Sequence, residues 1–122
     1  ELAKPLGSRN RGVGAVLLDG TPIRSCLLFA IQAEGHQLTT VEGLVEEDGS
    51  LGLLQDSFWE THAMQCGYCT PGMLIAAHGL LAESSDPTDA EIREAISGNL
   101  CRCTGYGRIE AAVERVVEVR RG

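Results

Sequence analysis

The chain of 122 residues is long enough for one small domain, or for one domain with part of a second attached. Apolar residues make up 43% of it, and the formal net charge of −7 argues against nucleic acid as a partner, because phosphate binding needs clustered basic residues. No apolar run approaches the roughly 18–20 residues of a membrane-spanning helix. The first residues also lack the basic and apolar regions of a signal peptide. Neither a membrane span nor nucleic-acid binding is therefore expected.

Strands and turns are predicted in the N-terminal part of the chain. Ala15–Leu18 is a short apolar run, and an Asp-Gly dipeptide at 19–20 is a hairpin turn signal before a second run at 21–27. Pro22 should place that return strand at a sheet edge. Residues 37–41 are predicted to form a third strand. A sheet of this size buries little by itself, so it needs helices or further strands to pack against.

From residue 51 onward the apolar residues recur at helical spacing and predict four short helices in a compact bundle. Thr70 and Pro71 look like the N-cap and first position of the second helix, which should extend from 72 to about 83. Thr88 and Glu91 form a capping box for the third. The predicted core positions are Leu51, Leu54 and Phe58 in the first helix, Ile92, Ala95, Ile96 and Leu100 in the third, and Ile109, Ala112, Val113, Val116 and Val117 in the fourth.

Five cysteines in so short a chain suggest a metal site. They fall into a Cys-x2-Cys pair at 66–69, a Cys-x-Cys pair at 101–103, and Cys26 alone. An odd total and a Cys-x-Cys spacing suit disulfides poorly, so reduced thiolates in a cytoplasm-like compartment are the better interpretation. Both pairs lie in interhelical loops that an antiparallel bundle brings to the same end. Helix starts follow both pairs, and glycines at 67 and 105 should let the backbone come close to sulfur.

The cysteine pattern alone leaves the metal open. Four thiolates can hold zinc or an iron–sulfur cluster. Structural zinc commonly uses Cys-x2-Cys in both halves, so the Cys-x-Cys half favours a two-iron cluster. Three alternatives stay open at this point: a stand-alone [2Fe–2S] carrier, a zinc-stabilised interaction domain, and four reduced cysteines with no metal. His36, His62 and His78 are expected to be structural or solvent-facing.

The two cysteine motifs carry a resemblance to a known family. Residues 65–72 read Gln-Cys-Gly-Tyr-Cys-Thr-Pro-Gly, and residues 97–106 read Ser-Gly-Asn-Leu-Cys-Arg-Cys-Thr-Gly-Tyr. Together they resemble the small iron–sulfur subunit of the molybdenum hydroxylases, a family that includes xanthine dehydrogenase, aldehyde oxidoreductase and aerobic carbon monoxide dehydrogenase. The resemblance runs through residues 12–122 and is most specific from residue 51.

The resemblance implies an α+β protein in two parts. Residues 1–50 would be the remnant of a plant-type ferredoxin-like (β-grasp) domain, and residues 51–122 a four-helix [2Fe–2S]-binding bundle. The cluster ligands would be Cys66, Cys69, Cys101 and Cys103. Gln65 would hydrogen-bond to the pterin of the molybdopterin cofactor, and Cys103 would lie against the pterin amino group.

The same resemblance implies a non-catalytic, electron-transfer subunit of a cytoplasmic oxidoreductase complex. It would relay electrons from a large molybdopterin-binding subunit toward an FAD-binding subunit, and it would carry no catalytic residue of its own.

The N-terminal part departs from the family pattern. Family members hold a second cluster on four cysteines, and here Leu6, Arg11 and Gly14 stand where three of those ligands belong, so only Cys26 remains. One thiolate cannot hold two irons, and this chain is therefore expected to lack the second cluster. Either the domain is degenerate, or the internal-looking start means that residues are missing from the sequence.

Overall fold

The computed structural model describes residues 14–122, so Leu6 and Arg11 lie outside the described residues. Three strands come first and four helices follow. The strands are β1 (Ala15–Leu18), β2 (Thr21–Arg24) and β3 (Leu38–Thr39), and the helices are α1 (Leu53–Glu60), α2 (Thr70–Glu83), α3 (Asp89–Ile96) and α4 (Gly107–Arg121). A small antiparallel sheet followed by four helices is the predicted α+β class, which is confirmed.

The sheet has the order β2-β1-β3, with both neighbours antiparallel to the central strand. Asp19 and Gly20 have φ angles of 50° and 83°, which is the backbone of a tight hairpin turn. The predicted turn and the edge position of Pro22 are confirmed. The return strand is shorter than predicted, because it ends at Arg24 and the chain continues as a 3-10 turn over Ser25–Leu27.

One apolar core lies between the four helices. Its fully buried members include Met73 from α2, Ile92 from α3 and Val113 from α4. Within this core the hydroxyl of Ser57 donates a hydrogen bond of 2.7 Å to the carbonyl oxygen of Ala112, which ties α1 to α4. The predicted buried stripe of α4 is confirmed at all five positions.

Two leucines predicted to lie in the core are exposed. Leu51 is 51% exposed because Gly52, with extended backbone, is the N-cap of α1 and leaves Leu51 outside the helix. Leu100 is 68% exposed because α3 ends at Ile96, four residues earlier, and Leu100 lies in the following loop. Periodicity placed both residues on a helix that does not reach them.

The sheet packs against α2, as its small size requires. Val16 and Leu17 of β1 are buried, and the ring of Pro22 lies against Gly79, where a Cβ would overlap it. Of the two supports expected for the sheet, helices or further strands, the described residues show the helices. Among residues 14–122, no helix is both long enough and apolar enough to cross a membrane.

Candidate metal centre

The two interhelical loops bring four cysteines to one pocket. The loop between α1 and α2 carries Cys66 and Cys69, and the loop between α3 and α4 carries Cys101 and Cys103. The pocket has a volume of about 560 Å³, and its lining residues are Cys66, Tyr68, Cys69, Leu100, Cys101, Arg102 and Cys103. All five cysteines of the chain are free thiols, and Cys26 is not among the lining residues.

The first cysteine loop turns sharply and leads directly into α2. Gly67 has a φ of 76°, a left-handed conformation that disfavours side chains. Cys69 itself is the N-cap of α2, and Thr70 and Pro71 are the first helical residues. The prediction of Thr70 as N-cap is wrong by one residue, and the correction puts a cysteine closer to the unpaired N–H groups of the helix start.

The second cysteine loop is held by hydrogen bonds around Cys101. The Cys101 sulfur lies 3.0 Å from the hydroxyl oxygen of Thr104 and 3.5 Å from the Thr104 backbone nitrogen. The Cys101 N–H donates to the phenol oxygen of Tyr106 at 3.0 Å. Tyr106 has a φ of 72°, which is costly for a non-glycine residue, and it directly precedes α4. The residue whose side chain holds the Cys101 backbone therefore has a strained backbone conformation itself.

Gly105 has a different role from the one predicted. A Cβ at this position would meet no atom within 4 Å, so close approach to sulfur does not require glycine. Glycine is required at position 105 because of the φ of 66°, a conformation that only glycine adopts at low cost.

The deeper thiol pair joins the two loops. Burial, followed by the interaction with Cys101, raises the pKa of Cys69 to about 12. Burial also opposes ionisation of Cys101, but the hydrogen bonds from the Thr104 hydroxyl and N–H outweigh it, so the pKa of Cys101 is lowered. Cys101 is thus the more acidic thiol of this pair and Cys69 the less acidic one.

The outer thiol pair, Cys66 and Cys103, also shows opposite shifts of pKa. The backbone N–H of Tyr68 lowers the pKa of the Cys66 thiol, and the Cys103 side chain lowers it further. The interaction with Cys66 in turn raises the pKa of Cys103. Each pair thus joins a thiol of raised pKa in one loop to a thiol of lowered pKa in the other, and binding of a metal would displace the protons of both.

The donor set suits a soft metal group. Four sulfurs line the pocket, and its lining contains no carboxylate and no imidazole among the described residues. The hydroxyl of Thr70, next to Cys69, is buried and has no hydrogen-bond partner within residues 14–122. In the same part of the chain, no group of three or more His, Cys, Asp or Glu side chains is arranged for one metal ion. The sulfurs are grouped as two pairs, and a two-iron cluster takes two ligands per iron.

Sequence reasoning missed two contributors near the pocket. Thr104 was not singled out, although a threonine three residues after a cysteine is placed to hydrogen-bond to its sulfur. Arg24 was not singled out either, and its contact with Asn99 joins residues 75 positions apart, which leaves no local signal.

Gln65 is exposed beside Cys66, and Trp59 is 68% exposed on α1.

Comparison with known proteins agrees with this chemistry. A family model described as "[2Fe-2S] binding domain" matches residues 40–114, which defines the class of the protein. The chain is 52% identical over 107 residues to the nicotinate dehydrogenase small FeS subunit of Eubacterium barkeri, covering 88% of this chain and 68% of that protein.

Two solved structures are similar to the fold. Quinoline 2-oxidoreductase from Pseudomonas putida 86 has a TM-score of 0.81 at 51% identity, covering 91% of this chain and 71% of the other. The aldehyde oxidoreductase of Desulfovibrio gigas has a TM-score of 0.82 at 36% identity, covering 91% of this chain and 12% of the other.

The chain belongs to the family of small [2Fe–2S] subunits of the molybdenum hydroxylases. It spans 60–68% of the length of five curated relatives that it matches.

Proposed function

We propose that the chain holds one [2Fe–2S] cluster on Cys66, Cys69, Cys101 and Cys103 and serves as the electron-transfer subunit of a molybdenum hydroxylase complex. The observation that carries the proposal is the pocket in which these four thiols meet from two loops. When bound, such a cluster accepts and releases one electron at a time. Each of the two cross-loop pairs, Cys66 with Cys103 and Cys69 with Cys101, is suited to hold one iron.

The local environment supports an anionic cluster. Hydrogen bonds to Cys101 from Thr104 stabilise negative charge on sulfur, and the start of α2 at Cys69 adds the positive end of a helix. Arg102 lines the pocket and contributes a positive side chain. The half-buried Cys69 and Cys101 exclude part of the solvent from one side of the site.

The outer side of the pocket is the proposed contact with the large molybdopterin-binding subunit. Cys103 and Gln65 are both exposed there, as the proposed contacts with the pterin require. Leu100 at 68% and Met64 at 41% are exposed apolar side chains of the two cysteine loops. A partner surface would bury them together with the mouth of the pocket. Electrons would leave toward an FAD-binding subunit, and substrate would not touch this chain.

The remaining assignments follow from the same proposal. Residues 1–50 are assigned to a partial ferredoxin-like part and residues 51–122 to the cluster-binding part. Cys26 is exposed, and Gly14 stands near it where the family has another ligand, so a second cluster on this chain is not proposed. Free thiols throughout fit a reducing, cytoplasmic compartment.

Metal analysis of the purified full chain tests the proposal. Two irons and two acid-labile sulfides per chain, a reddish-brown colour and one EPR signal after reduction are expected. Colourless protein with one zinc per chain would instead support the zinc-stabilised interaction domain. Copurification with a pterin-containing subunit is expected for the complex, and an iron–sulfur chain that never binds one would favour a stand-alone carrier.

A further inference from the structure

The loop that carries Cys101 and Cys103 is tied to the sheet through one arginine. Arg24 is the last residue of β2, and its guanidinium group donates hydrogen bonds to the carbonyl oxygen of Gly98 and, over 3.3 Å, to Oδ1 of Asn99. These acceptors stand just before Leu100 and Cys101. A Cβ at position 98 would lie 2.5 Å from the guanidinium nitrogen, so glycine leaves room for this contact.

Asn99 also reaches the helix that follows the other cysteine pair. Its Oδ1 lies against Gly72, where a Cβ would come within 2.5 Å of it. Gly72 is in the first turn of α2, three residues after the N-cap Cys69. The Oδ1 atom of Asn99 therefore contacts α2, whose N-cap is Cys69, and accepts a hydrogen bond from Arg24. Asn99 itself lies two residues before Cys101.

We infer that Arg24 is a positioning residue that fixes the separation of the two cysteine loops by orienting Asn99 between them. The inference rests on the proposed function, because the cluster would take its ligands from the same loops. Arginine suits this position because its planar fork serves two acceptors at once, whereas lysine offers one nitrogen. No residue of the pocket lining provides this tie, so the sheet contributes to the metal centre without touching it.

The test uses the cluster-loaded full chain and four variants: Arg24→Ala, Arg24→Lys, Asn99→Ala and the Arg24→Ala/Asn99→Ala double variant. Two quantities are measured, the EPR g values of the reduced cluster and the rate of iron loss to a chelator. Arg24→Ala should shift the g values and accelerate iron loss about three- to tenfold, the scale of one ordinary hydrogen bond. Arg24→Lys should fall between Arg24→Ala and the unaltered chain. The double variant should be no worse than the more affected single variant, because both changes break one network.

Arg93→Ala is the matched control. Arg93 forms an ion pair of 3.1 Å with Glu110 on the exposed surface of the helices, so its loss should leave both measurements unchanged. If Arg24→Ala yields no folded protein, Gly72→Ala replaces it, since its new methyl group displaces Asn99 while leaving Arg24 in place. Arg24 and Gly72 variants that match Arg93→Ala in g values and iron loss would overturn the inference. An unaltered chain that binds no iron would overturn the proposed function instead.

Discussion

The hydroxyl oxygen of Thr104 lies 3.0 Å from the sulfur of Cys101 and accepts a hydrogen bond of 3.2 Å from the backbone N–H of Tyr106. The Thr104 hydroxyl oxygen serves Tyr106 as an acceptor, and the hydroxyl proton remains available to donate to the sulfur. The Cys101 sulfur thus receives two donors from one residue, the hydroxyl and the N–H of Thr104. Hydrogen bonds to ligand sulfurs are a main determinant of cluster potential.

Thr104→Val removes the hydroxyl donor at nearly constant volume and should lower the reduction potential of the cluster. The more negative reduced cluster gains most from a hydrogen bond, so losing the donor disfavours reduction. One such bond contributes about 1.5 kcal/mol, which corresponds to a shift of roughly 60 mV for one electron. An EPR-monitored redox titration measures the shift. Thr104→Ser keeps the donor and serves as control, and equal potentials in the two variants would contradict the assigned role.

Cys103→Ser should abolish assembly of a stable cluster, because it removes one of four proposed thiolate ligands. Iron and sulfide content and visible absorption of the purified chain provide the measurement. Cys26→Ser is the matched control, since Cys26 is a free thiol that does not line the pocket. It should retain the full iron content. Equal iron in both variants would exclude Cys103 as a ligand.

The sequence predicted the parts of this molecule that depend on local patterns. The hairpin turn at Asp19 and Gly20, the capping box of Thr88 and Glu91, and the buried face of α4 each follow from short-range spacing, and all are confirmed. Predictions failed at helix ends. Leu51 and Leu100 continue an apolar period, but a glycine N-cap and an early helix end leave them exposed.

The meeting of the four cysteines at one pocket was predictable from the sequence, but the contacts that support their loops were not. Cysteine spacing and loop position suffice to expect four thiols at one end of the bundle. The contact of Arg24 with Asn99 depends on how the sheet packs on α2, a tertiary relationship that spacing does not encode. Likewise, the positive φ of Tyr106 accompanies the hydrogen bond that the Cys101 N–H donates to its phenol oxygen, and tyrosine is not a residue type that signals such a turn.

Gly79→Ala should destabilise the packing of the sheet on α2. A methyl group at position 79 would overlap the ring of Pro22, and overpacking of this kind costs about 1–3 kcal/mol. The better helix propensity of alanine offsets part of that cost, by about 1 kcal/mol. Gly107→Ala in α4 is the control, because a methyl group there meets no atom within 4 Å and should be neutral or stabilising. Urea unfolding of the two variants measures the difference, and equal free energies of unfolding would contradict the Gly79–Pro22 contact.

His78 on α2 should titrate below the ordinary pKa of a histidine. Partial desolvation lowers the pKa of His78 from its usual 6.5, and the nearby positive charge of Arg120 lowers it further. The unfolded chain therefore binds the proton more readily than the folded chain. Stability should be unaffected by this group above pH 6.5 and should fall as the pH drops below that value. Because the side chain is partly exposed, solvent keeps the effect small.

Arg120→Gln removes the positive charge and should raise the pKa of His78 toward 6.5 without touching the imidazole. An NMR titration of the His78 ring in the folded chain measures this directly. Arg120 also donates a hydrogen bond of 3.1 Å to the carbonyl oxygen of Leu81. The thermal stability of the Arg120→Gln variant is therefore measured as well, to detect any effect of losing this bond. Arg115→Gln is the control, since Arg115 pairs with Glu60 on α1. A His78 titration curve that Arg120→Gln leaves in place would show that desolvation alone sets the pKa of this histidine.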